Sequence, residues 1–304
     1  MNWPPRPSYS IALANGRSLD LGGRPLVMGI LNVTPDSFAE AGSNVDPARA
    51  IAAGLRMEEE GADLIDIGGE STRPGAAPID ADEEMARVLP VLRGLAGRLR
   101  VPLSIDTYKA EVARAALGAG AVIVNDVSGL RLDPALAGVV AASGAALVLT
   151  HSRGRSETMY DEAVYGDLIV DIIRELRDAV ARASAGGVPR DRVILDPGLG
   201  FAKRASHSYG VLARFPQLAA ALDRPILVGP SRKSFLRQAL GDRPAIERDW
   251  GTAAATTAAV LNGAHIVRVH AVGAMVQVVR VAEEIRSAGL KAQGSPLALT
   301  PPRS

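Results

Sequence analysis

Short β-branched runs alternate with longer amphipathic segments along most of this chain of 304 residues. Eight runs are candidate strands, at residues 26–33, 63–67, 101–106, 121–125, 145–150, 192–196, 224–229 and 264–270. Helical patterns occur between and after them, at residues 47–60, 80–99, 108–119, 134–142, 162–185, 207–222, 250–262 and 273–288. Eight strand–helix units are what a (β/α)8 barrel requires. The alternation therefore predicts an α/β fold of the TIM-barrel type.

The strand candidates are nearly continuous apolar runs, as expected of a parallel sheet that helices cover on both faces. A doubly wound open sheet is the alternative, but it usually has fewer strands and a glycine fingerprint after the first one, which this sequence lacks. Asp46 and Pro47 predict the N-cap and first residue of the first helix. Gly61 is typical of the position just after a helix end.

The two ends of the chain differ from this pattern. Residues 8–24 place Asn15-Gly16 between two alternating runs, which predicts a β-hairpin, and we expect it to close the bottom of the barrel. Residues 290–304 are expected to form a disordered tail. No linker is visible, so we expect one domain over residues 1–304, with a core at about 25–290, although length alone would also allow two.

The composition excludes several classes of function. The net charge of +1 gives no electrostatic reason to expect a nucleic-acid or membrane partner. The chain has no cysteine, which excludes disulfides, thiolate catalysis and cysteine-ligated zinc and fits a cytoplasmic protein. The N-terminus has no apolar signal region, and no run of about 20 apolar residues predicts a membrane span.

Polar residues follow or end every predicted strand. Taken singly, a strand-terminal Asp or Asn is usually a cap or turn former, and a lone His is usually structural. In a barrel, however, the C-terminal strand ends meet at one mouth, where the active site lies. We therefore expect these polar ends to converge there. In chain order they include Asn32, Asp66, Asp106, Asn125, His151, Asp196, Lys233 and His270.

The residue types at this mouth indicate a substrate class. Asp106, Asn125 and Asp196 supply acceptors that fit a flat heterocycle with several N–H donors, since a carboxylate can pair with an amino group and a ring N–H together. Loops 2, 7 and 8 carry cations, and loops 7 and 8 are the usual phosphate site of this fold. These cations are Arg73, Arg232, Lys233, Arg268 and His270. The Asn32 amide oxygen could hold Mg²⁺, which keeps most of its waters and bridges to a phosphate.

Seven motifs in order resemble one known family, the dihydropteroate synthases. They are MGILNVTPDSF, GADLIDIGGESTRPGA, SIDTYK, VNDVSG, DPGLGFAK, GPSRKSFL and IVRVH, and the likeness covers about residues 25–290. The resemblance implies a pterin-binding TIM barrel. It also implies a transferase that condenses 6-hydroxymethyl-7,8-dihydropterin diphosphate with 4-aminobenzoate to give 7,8-dihydropteroate and pyrophosphate, by an SN1-like displacement.

The family also implies site residues. The residues expected to hold the pterin ring are Asp106, Asn125, Asp196 and Lys233, with Phe201 packed close by. The diphosphate is expected at Asn32, Arg268 and His270, with magnesium at Asn32. The aminobenzoate pocket is expected between Lys233 and Ser234 and a mobile loop that contains Thr72, Arg73 and Pro74. The residues expected to be catalytic are Asp106, Lys233, Arg268 and His270. A homodimer is implied as well.

The chain departs from the family pattern at several positions. Ser152 replaces a methionine that usually lines the pterin pocket, and Arg153 adds a cation next to it. Ala271 replaces an aspartate that commonly follows His270, which removes a candidate partner of that histidine. Ala202 replaces a glycine, a mild change only if its backbone φ stays negative.

Two other functions are compatible with the same scaffold. A pterin-binding methyltransferase would share the Asp/Asn/Asp edge, but it would not need the STRPGA loop, the SRKS segment or the Arg268/His270 site. A paralogue without synthase activity would keep the fold, and Ser152 and Ala271 leave room for it. If the synthase interpretation is right, the intact STRPGA and SRKS segments predict ordinary sulfonamide sensitivity.

Overall fold

The computed structural model describes residues 3–34, 46–73 and 75–294. A hairpin of β1 (Tyr9–Ala12) and β2 (Ser18–Leu21) precedes eight parallel strands. These are β3 (Leu26–Asn32), β4 (Leu64–Gly68), β5 (Leu103–Asp106), β6 (Ile123–Asp126), β7 (Ala146–Thr150), β8 (Val193–Asp196), β9 (Leu227–Val228) and β10 (Ile266–Val269). The sheet order is β8-β7-β6-β5-β4-β3-β10-β9, and a parallel bridge from Leu195 to Ile226 joins its two edges. The barrel prediction is confirmed.

Ten α-helices surround the strands in the described part of the chain. They are α1 (Pro47–Glu59), α2 (Ala81–Leu95), α3 (Ala110–Gly118), α4 (Ala135–Ser143), α5 (Leu168–Ala185), α6 (Ala205–Ala213), α7 (Phe215–Ala221), α8 (Arg237–Leu240), α9 (Asp249–Leu261) and α10 (Val272–Gly294). None of these helices is long and apolar enough to cross a membrane.

The predicted start of α1 is confirmed, because the Asp46 side chain accepts a hydrogen bond from the backbone N–H of Ala48 and Pro47 opens the helix. Three other helix predictions need correction. The segment 207–222 forms two helices, α6 and α7, because Pro216 lies in the first turn of α7, where it needs no intrahelical N–H partner. The segment 162–185 becomes helical only at Leu168, where Asp167 caps two backbone N–H groups. Helix α10 runs to Gly294, so residues 290–294 of the predicted tail are helical, and residues 295–304 lie outside the described residues.

The hairpin covers the bottom of the barrel, as predicted. Ile11 and Leu19 of the hairpin are buried in one cluster with Met28 of β3 and Leu64 of β4. The other members of this bottom cluster lie in the hairpin or in the barrel strands and their N-terminal approaches, for example Leu26, Val122, Ile194, Leu227 and Ile266. Burial of these aliphatic side chains is the main local source of stability there. A larger cluster packs the outer faces of the strands against the helices.

The strand register brings the polar ends together. Asn32 is opposite Gly68, Gly68 is opposite Asp106, and Asp106 is opposite Asn125. On the other side of the barrel, Thr150 is opposite Asp196. Four neighbouring strands therefore end in one row at the mouth. The residues of the first loop after Thr34, and Pro74 in the second loop, lie outside the described residues.

Candidate active site

Arg268 bridges two acidic side chains at the centre of the mouth. Its Nε atom lies 2.6 Å from Asp66 Oδ2, and its Nη2 atom lies 2.5 Å from Asp106 Oδ2. Asn125 Nδ2 also donates to Asp66 Oδ2, at 2.8 Å. These four side chains form one connected network between β4, β5, β6 and β10. Charge-assisted hydrogen bonds of this kind fix the orientation of the groups that make them.

Asp66 is the member of this network to which sequence reasoning assigned no role. It is fully buried and sits inside the apolar run of β4, where a carboxylate costs free energy unless it is paired. A carboxylate inside an apolar strand was therefore the sequence signal that could have identified Asp66 as a candidate site residue. It could not show the partners, because Arg268 and Asn125 come from strands far away in the sequence.

Two buried acceptor atoms of the network have no hydrogen-bond partner among the described residues. They are Asp66 Oδ1 and Asn125 Oδ1. A buried acceptor left unsatisfied costs about 1–3 kcal/mol, so such atoms usually meet a ligand or water. Both can accept N–H groups, which agrees with the predicted flat heterocycle.

Asp196 lies at the end of β8 and is buried. Its Oδ1 atom accepts the backbone N–H of Gly198 at 2.7 Å. Burial raises the pKa of Asp196, and the nearby Lys233 opposes that rise. The side chain is therefore an acceptor held in place by the loop that follows it.

Lys233 and Phe201 contact each other beside Asp196. Lys233 Nζ lies 4.4 Å from the centre of the Phe201 ring and donates to the carbonyl oxygen of Leu199. Burial lowers the pKa of Lys233 to about 8, against the opposing charges of Asp196 and Asp106. The structure thus groups Asp106, Asn125, Asp196, Phe201 and Lys233 at one mouth.

Burial is also the main cause that raises the pKa of Asp106 to about 7. Arg268 lowers that pKa, whereas the carboxylates of Asp66 and Glu84 raise it. A carboxyl group that changes protonation near neutral pH in a concave site is typical of functional residues.

His270 has two neighbours in the described structure. Ser231 Oγ lies 2.8 Å from His270 Nδ1 and accepts the backbone N–H of His270, and Asn32 Nδ2 lies 3.4 Å from His270 Nε2. Burial, followed by the charges of Arg232 and Arg268, lowers the pKa of His270 to about 3, so the ring is neutral at pH 7 and is not the cation expected from the sequence. The ring therefore has a partner at Nδ1 although Ala271 replaces the aspartate.

Two of the sequence departures leave the mouth free of extra charge. The Arg153 guanidinium stacks 4.1 Å from the Tyr165 ring centre and pairs with Glu175 on α5. Ser152 is buried next to it. The replacement of glycine by Ala202 was expected to be mild only if its φ stayed negative. Its φ is +47°, in the left-handed region, where a residue with a Cβ is strained.

Loop 7 contains a cation that is already paired. Arg232, with φ of +58°, binds Asp249 of α9 through two bonds of 2.7 and 2.8 Å. Of the expected cationic set, Arg268 is likewise paired with carboxylates, and Arg73 is exposed on loop 2. Its charge is still among those that lower the pKa of His270.

The residues expected to surround the aminobenzoate lie on loops 2 and 7, and both loops contact the loop after β7. Ser234 Oγ lies 3.2 Å from the hydroxyl of Tyr160, which joins loop 7 to the loop after β7. Gly75 donates its backbone N–H to Ser156 at 3.1 Å, which joins loop 2 to that same loop. Thr72, on loop 2, is half-buried.

No group of three or more His, Asp or Glu side chains in the described ranges could hold a metal ion by itself. Asn32 is compatible with a weaker magnesium site, because its Nδ2 faces His270 and its amide oxygen is a hard ligand. Mg²⁺ commonly takes one or two protein oxygens together with substrate phosphates and water.

Comparison with known proteins gives the family. Residues 28–270 match the model of the pterin binding enzymes. The dihydropteroate synthase of Synechocystis sp. is 46% identical over 266 residues, covering 88% of this chain and 92% of that protein. The Escherichia coli K12 dihydropteroate synthase is 42% identical and covers 90% of this chain and 96% of its own length.

Solved structures agree with this. The Xanthomonas albilineans dihydropteroate synthase with 4-aminobenzoic acid superposes with a TM-score of 0.85 at 40% identity, covering 92% of this chain and 99% of that one. The same enzyme in complex with 7,8-dihydropteroate gives a TM-score of 0.81 at 37% identity, with 91% and 99% coverage. The chain belongs to the pterin binding enzymes, in the dihydropteroate synthase family.

Proposed function

We propose that this transferase condenses 6-hydroxymethyl-7,8-dihydropterin diphosphate with 4-aminobenzoate and releases pyrophosphate. The observation that supports this most is the grouping of unpaired buried acceptors beside cations at one barrel mouth. The complexes of the Xanthomonas relative with 4-aminobenzoic acid and with 7,8-dihydropteroate support one substrate and the product of this reaction.

The pterin ring would bind edge-on to the acceptors. Asp196 would accept the 2-amino and N3–H donors, and Asn125 Oδ1 would accept a further ring N–H. Lys233 would donate to the opposite edge of the ring, and Phe201 would pack beside it. Each polar edge of the heterocycle then has a partner of the right donor or acceptor type.

The diphosphate would lie between Asn32, Arg268 and His270. Arg268 contacts its two carboxylates through Nε and Nη2, and Nη1 makes neither of those bonds, so this nitrogen can donate to a phosphate oxygen. Asn32 would hold Mg²⁺ through its amide oxygen. A bound Mg²⁺ would neutralise charge on the leaving group.

The displacement would be SN1-like. The bond from the pterin methylene carbon to the diphosphate oxygen breaks, and its electron pair leaves with pyrophosphate, which Arg268 and His270 stabilise. The electron-rich dihydropterin delocalises the positive charge that remains, and the carboxylate of Asp106 favours it electrostatically. The aromatic amine, neutral at pH 7, then forms the C–N bond and releases its proton.

Loop 2 and loop 7 would form the second subsite. Thr72, Arg73 and Ser234 would surround the aminobenzoate, and closure of the loops would exclude water that could capture the cation. The same subsite would bind sulfonamides, and the structure of the Yersinia pestis dihydropteroate synthase is a sulfonamide complex. Growth or turnover that persists at high sulfonamide would contradict this part of the proposal.

A homodimer is also part of the proposal. Four exposed apolar side chains lie late in the chain, and Trp250 is 87% exposed; the others are Ile246, Val281 and Ile285. Large contiguous apolar patches often mark contacts between subunits, and the proposal is that these four side chains belong to one. Sedimentation of the wild-type chain and of Trp250→Ser would test it. The lack of cysteine supports a cytoplasmic location.

A turnover assay tests the activity. Purified protein receives dihydropterin diphosphate, Mg²⁺ and labelled 4-aminobenzoate, and pyrophosphate and dihydropteroate are measured together. We expect equal amounts of both products, dependence on Mg²⁺ and inhibition by a sulfonamide. Pterin binding without product would contradict the synthase activity and favour the paralogue.

A further inference from the structure

Lys203 is among the largest fully buried side chains of the described residues, at 1% exposure, and the proposed mechanism gives it no role. Its Nζ atom lies 2.7 Å from His151 Nδ1, 3.1 Å from the carbonyl oxygen of Phe201 and 3.4 Å from that of His151. A lysine nitrogen can donate at most three hydrogen bonds, and three acceptors surround this one. A buried lysine costs free energy unless its nitrogen is hydrogen-bonded, so the presence of Lys203 here calls for a specific role.

The loop that Lys203 binds is the wall beside the proposed pterin site. Ala202 is held at φ of +47°, and its carbonyl oxygen accepts the Tyr165 hydroxyl at 2.9 Å. A side chain at Gly198 would meet the His151 carbonyl oxygen at 2.0 Å, which shows how closely the two loops approach. Strained backbone of this kind persists only where surrounding contacts hold it.

His151 connects this wall to Asp196 and to the outside of the barrel. Its backbone N–H donates to the carbonyl oxygen of Asp196 at 2.8 Å. Its ring Nε2 lies 3.1 Å from Glu175 on α5, which also binds Arg153. Because Lys203 donates to Nδ1, the Nε2–H is left to donate to Glu175, which is the arrangement of a neutral imidazole. Burial, the largest cause, lowers the pKa of His151 to about 3, which agrees with that.

We propose that Lys203 is a positioning residue for the pterin ring, acting through the carbonyl of Phe201 and through His151 on the backbone of Asp196. Lys203 itself does not touch the substrate in this account. It holds the Phe201 ring and the Asp196 carboxylate at the separation that a planar heterocycle needs. The inference rests on the proposed function, because it assigns the wall of that same ring site.

The test compares the loss of two buried basic side chains. Lys203→Met removes the three bonds and keeps most of the volume. Arg6→Met is the matched control at the other end of the barrel, where a buried arginine binds Glu283 at 2.8 Å and the Val260 carbonyl at 3.2 Å. Binding of dihydropterin diphosphate with Mg²⁺ is measured by calorimetry, and urea unfolding and steady-state kinetics are run on the same samples.

We expect Lys203→Met to weaken pterin binding at least tenfold and to leave the KM for 4-aminobenzoate within twofold of wild type. Arg6→Met should unfold at lower urea but bind the pterin within twofold of wild type. Unchanged pterin affinity in Lys203→Met, or equal losses in both variants, would overturn the inference. A wild-type chain that binds no pterin diphosphate would overturn the proposed function together with it.

If Lys203→Met does not fold, Tyr165→Phe decides the question. It removes one hydroxyl bond to Ala202, and it keeps the ring on which Arg153 stacks. We expect about threefold weaker pterin binding with unchanged aminobenzoate KM. Pterin affinity equal to wild type would overturn the inference.

Discussion

The two ends of this barrel differ in the type of side chain that they bury. At the bottom, Ile11, Leu19, Met28 and Leu64 are apolar and almost fully excluded from solvent. At the mouth, buried carboxylates and cations pair with each other, and the pKa of Asp106 is raised to about 7. The same strands thus bury an apolar cluster at one end and paired charged side chains at the other.

This difference indicates which end of the barrel determines stability and which end determines ligand binding. Apolar burial stabilises the bottom, whereas buried ion pairs contribute little net stability because desolvation offsets their attraction. The strained φ of Ala202 and of Arg232 lies at the mouth as well. We therefore expect changes at the bottom to lower stability and changes at the mouth to lower binding.

The largest effect is expected from Asp196→Asn. An amide in place of the buried carboxylate presents N–H groups to the donors of the pterin ring, and a site with the wrong polar partners rejects its ligand by on the order of 1,000-fold, about 4 kcal/mol. Calorimetry with the pterin diphosphate measures this loss.

The control for Asp196→Asn is Asp63→Asn at the bottom, where the carboxylate binds Arg24 and the backbone N–H of Val27. The control should keep its pterin affinity. If Asp196→Asn bound the ring as tightly as wild type does, Asp196 would not belong to the ring site.

Met28→Ala is the converse change. Met28 is 0% exposed in the bottom cluster, and truncating such a side chain costs about 2–5 kcal/mol of unfolding free energy. Urea unfolding measures that cost, and Met28→Leu should restore most of the stability. Pterin binding should stay within about twofold, and a parallel loss of binding would show that the two ends are not separate.

Sequence reasoning predicted the barrel well because its evidence is local. Each run such as 26–33 or 192–196 carries its own apolar pattern, and Asp46-Pro47 marks a helix start without reference to any other segment. Pro216 is itself a sequence signal for a helix break. The apolar residues keep a helical spacing on both sides of it, however, and this spacing predicted a single helix. The length of α10 was not predicted, because Gly289, directly after the predicted helix 273–288, is typical of a helix end but lies inside α10.

The site was predictable only in part, because pairing depends on register. Asp106 and Asn125 were expected at one mouth, and the register of β5 and β6 places them opposite each other. The pairing of Arg268 with Asp66, and of Arg232 with Asp249, joins segments that no sequence spacing relates. The roles of these residues toward substrate stay predictions.

Asp106→Asn should change the pH dependence of stability at the mouth. The folded-state pKa of about 7 lies above the ordinary value of 3.8, so between these pH values the folded state binds more protons than the unfolded state. The contribution of Asp106 therefore falls as pH rises through this window. Urea unfolding is measured for wild type and Asp106→Asn from pH 4 to 8. The free energy of unfolding of Asp106→Asn, relative to that of wild type, should rise up to about pH 7 and stay constant above it. A constant difference would mean that Asp106 does not titrate there.

His265→Gln should show the opposite sign at the bottom, as the smallest effect. His265 Nδ1 accepts the backbone N–H of Ile226, and burial lowers its pKa to about 4 from 6.5. Between these values the unfolded state binds more protons, so wild type loses stability as pH falls through the window. The free energy of unfolding of His265→Gln should fall less than that of wild type between pH 6.5 and 4. If the free energy of unfolding fell equally in the variant and in wild type as the pH is lowered, the lowered pKa of His265 would be contradicted.

A crystal structure with the dihydropterin diphosphate bound tests the central claim most directly. The account predicts the ring between Asn125, Asp196 and Lys233, with the diphosphate at Arg268 and His270 and a magnesium ion on Asn32. The ring seated elsewhere, or the diphosphate remote from Arg268, would contradict it.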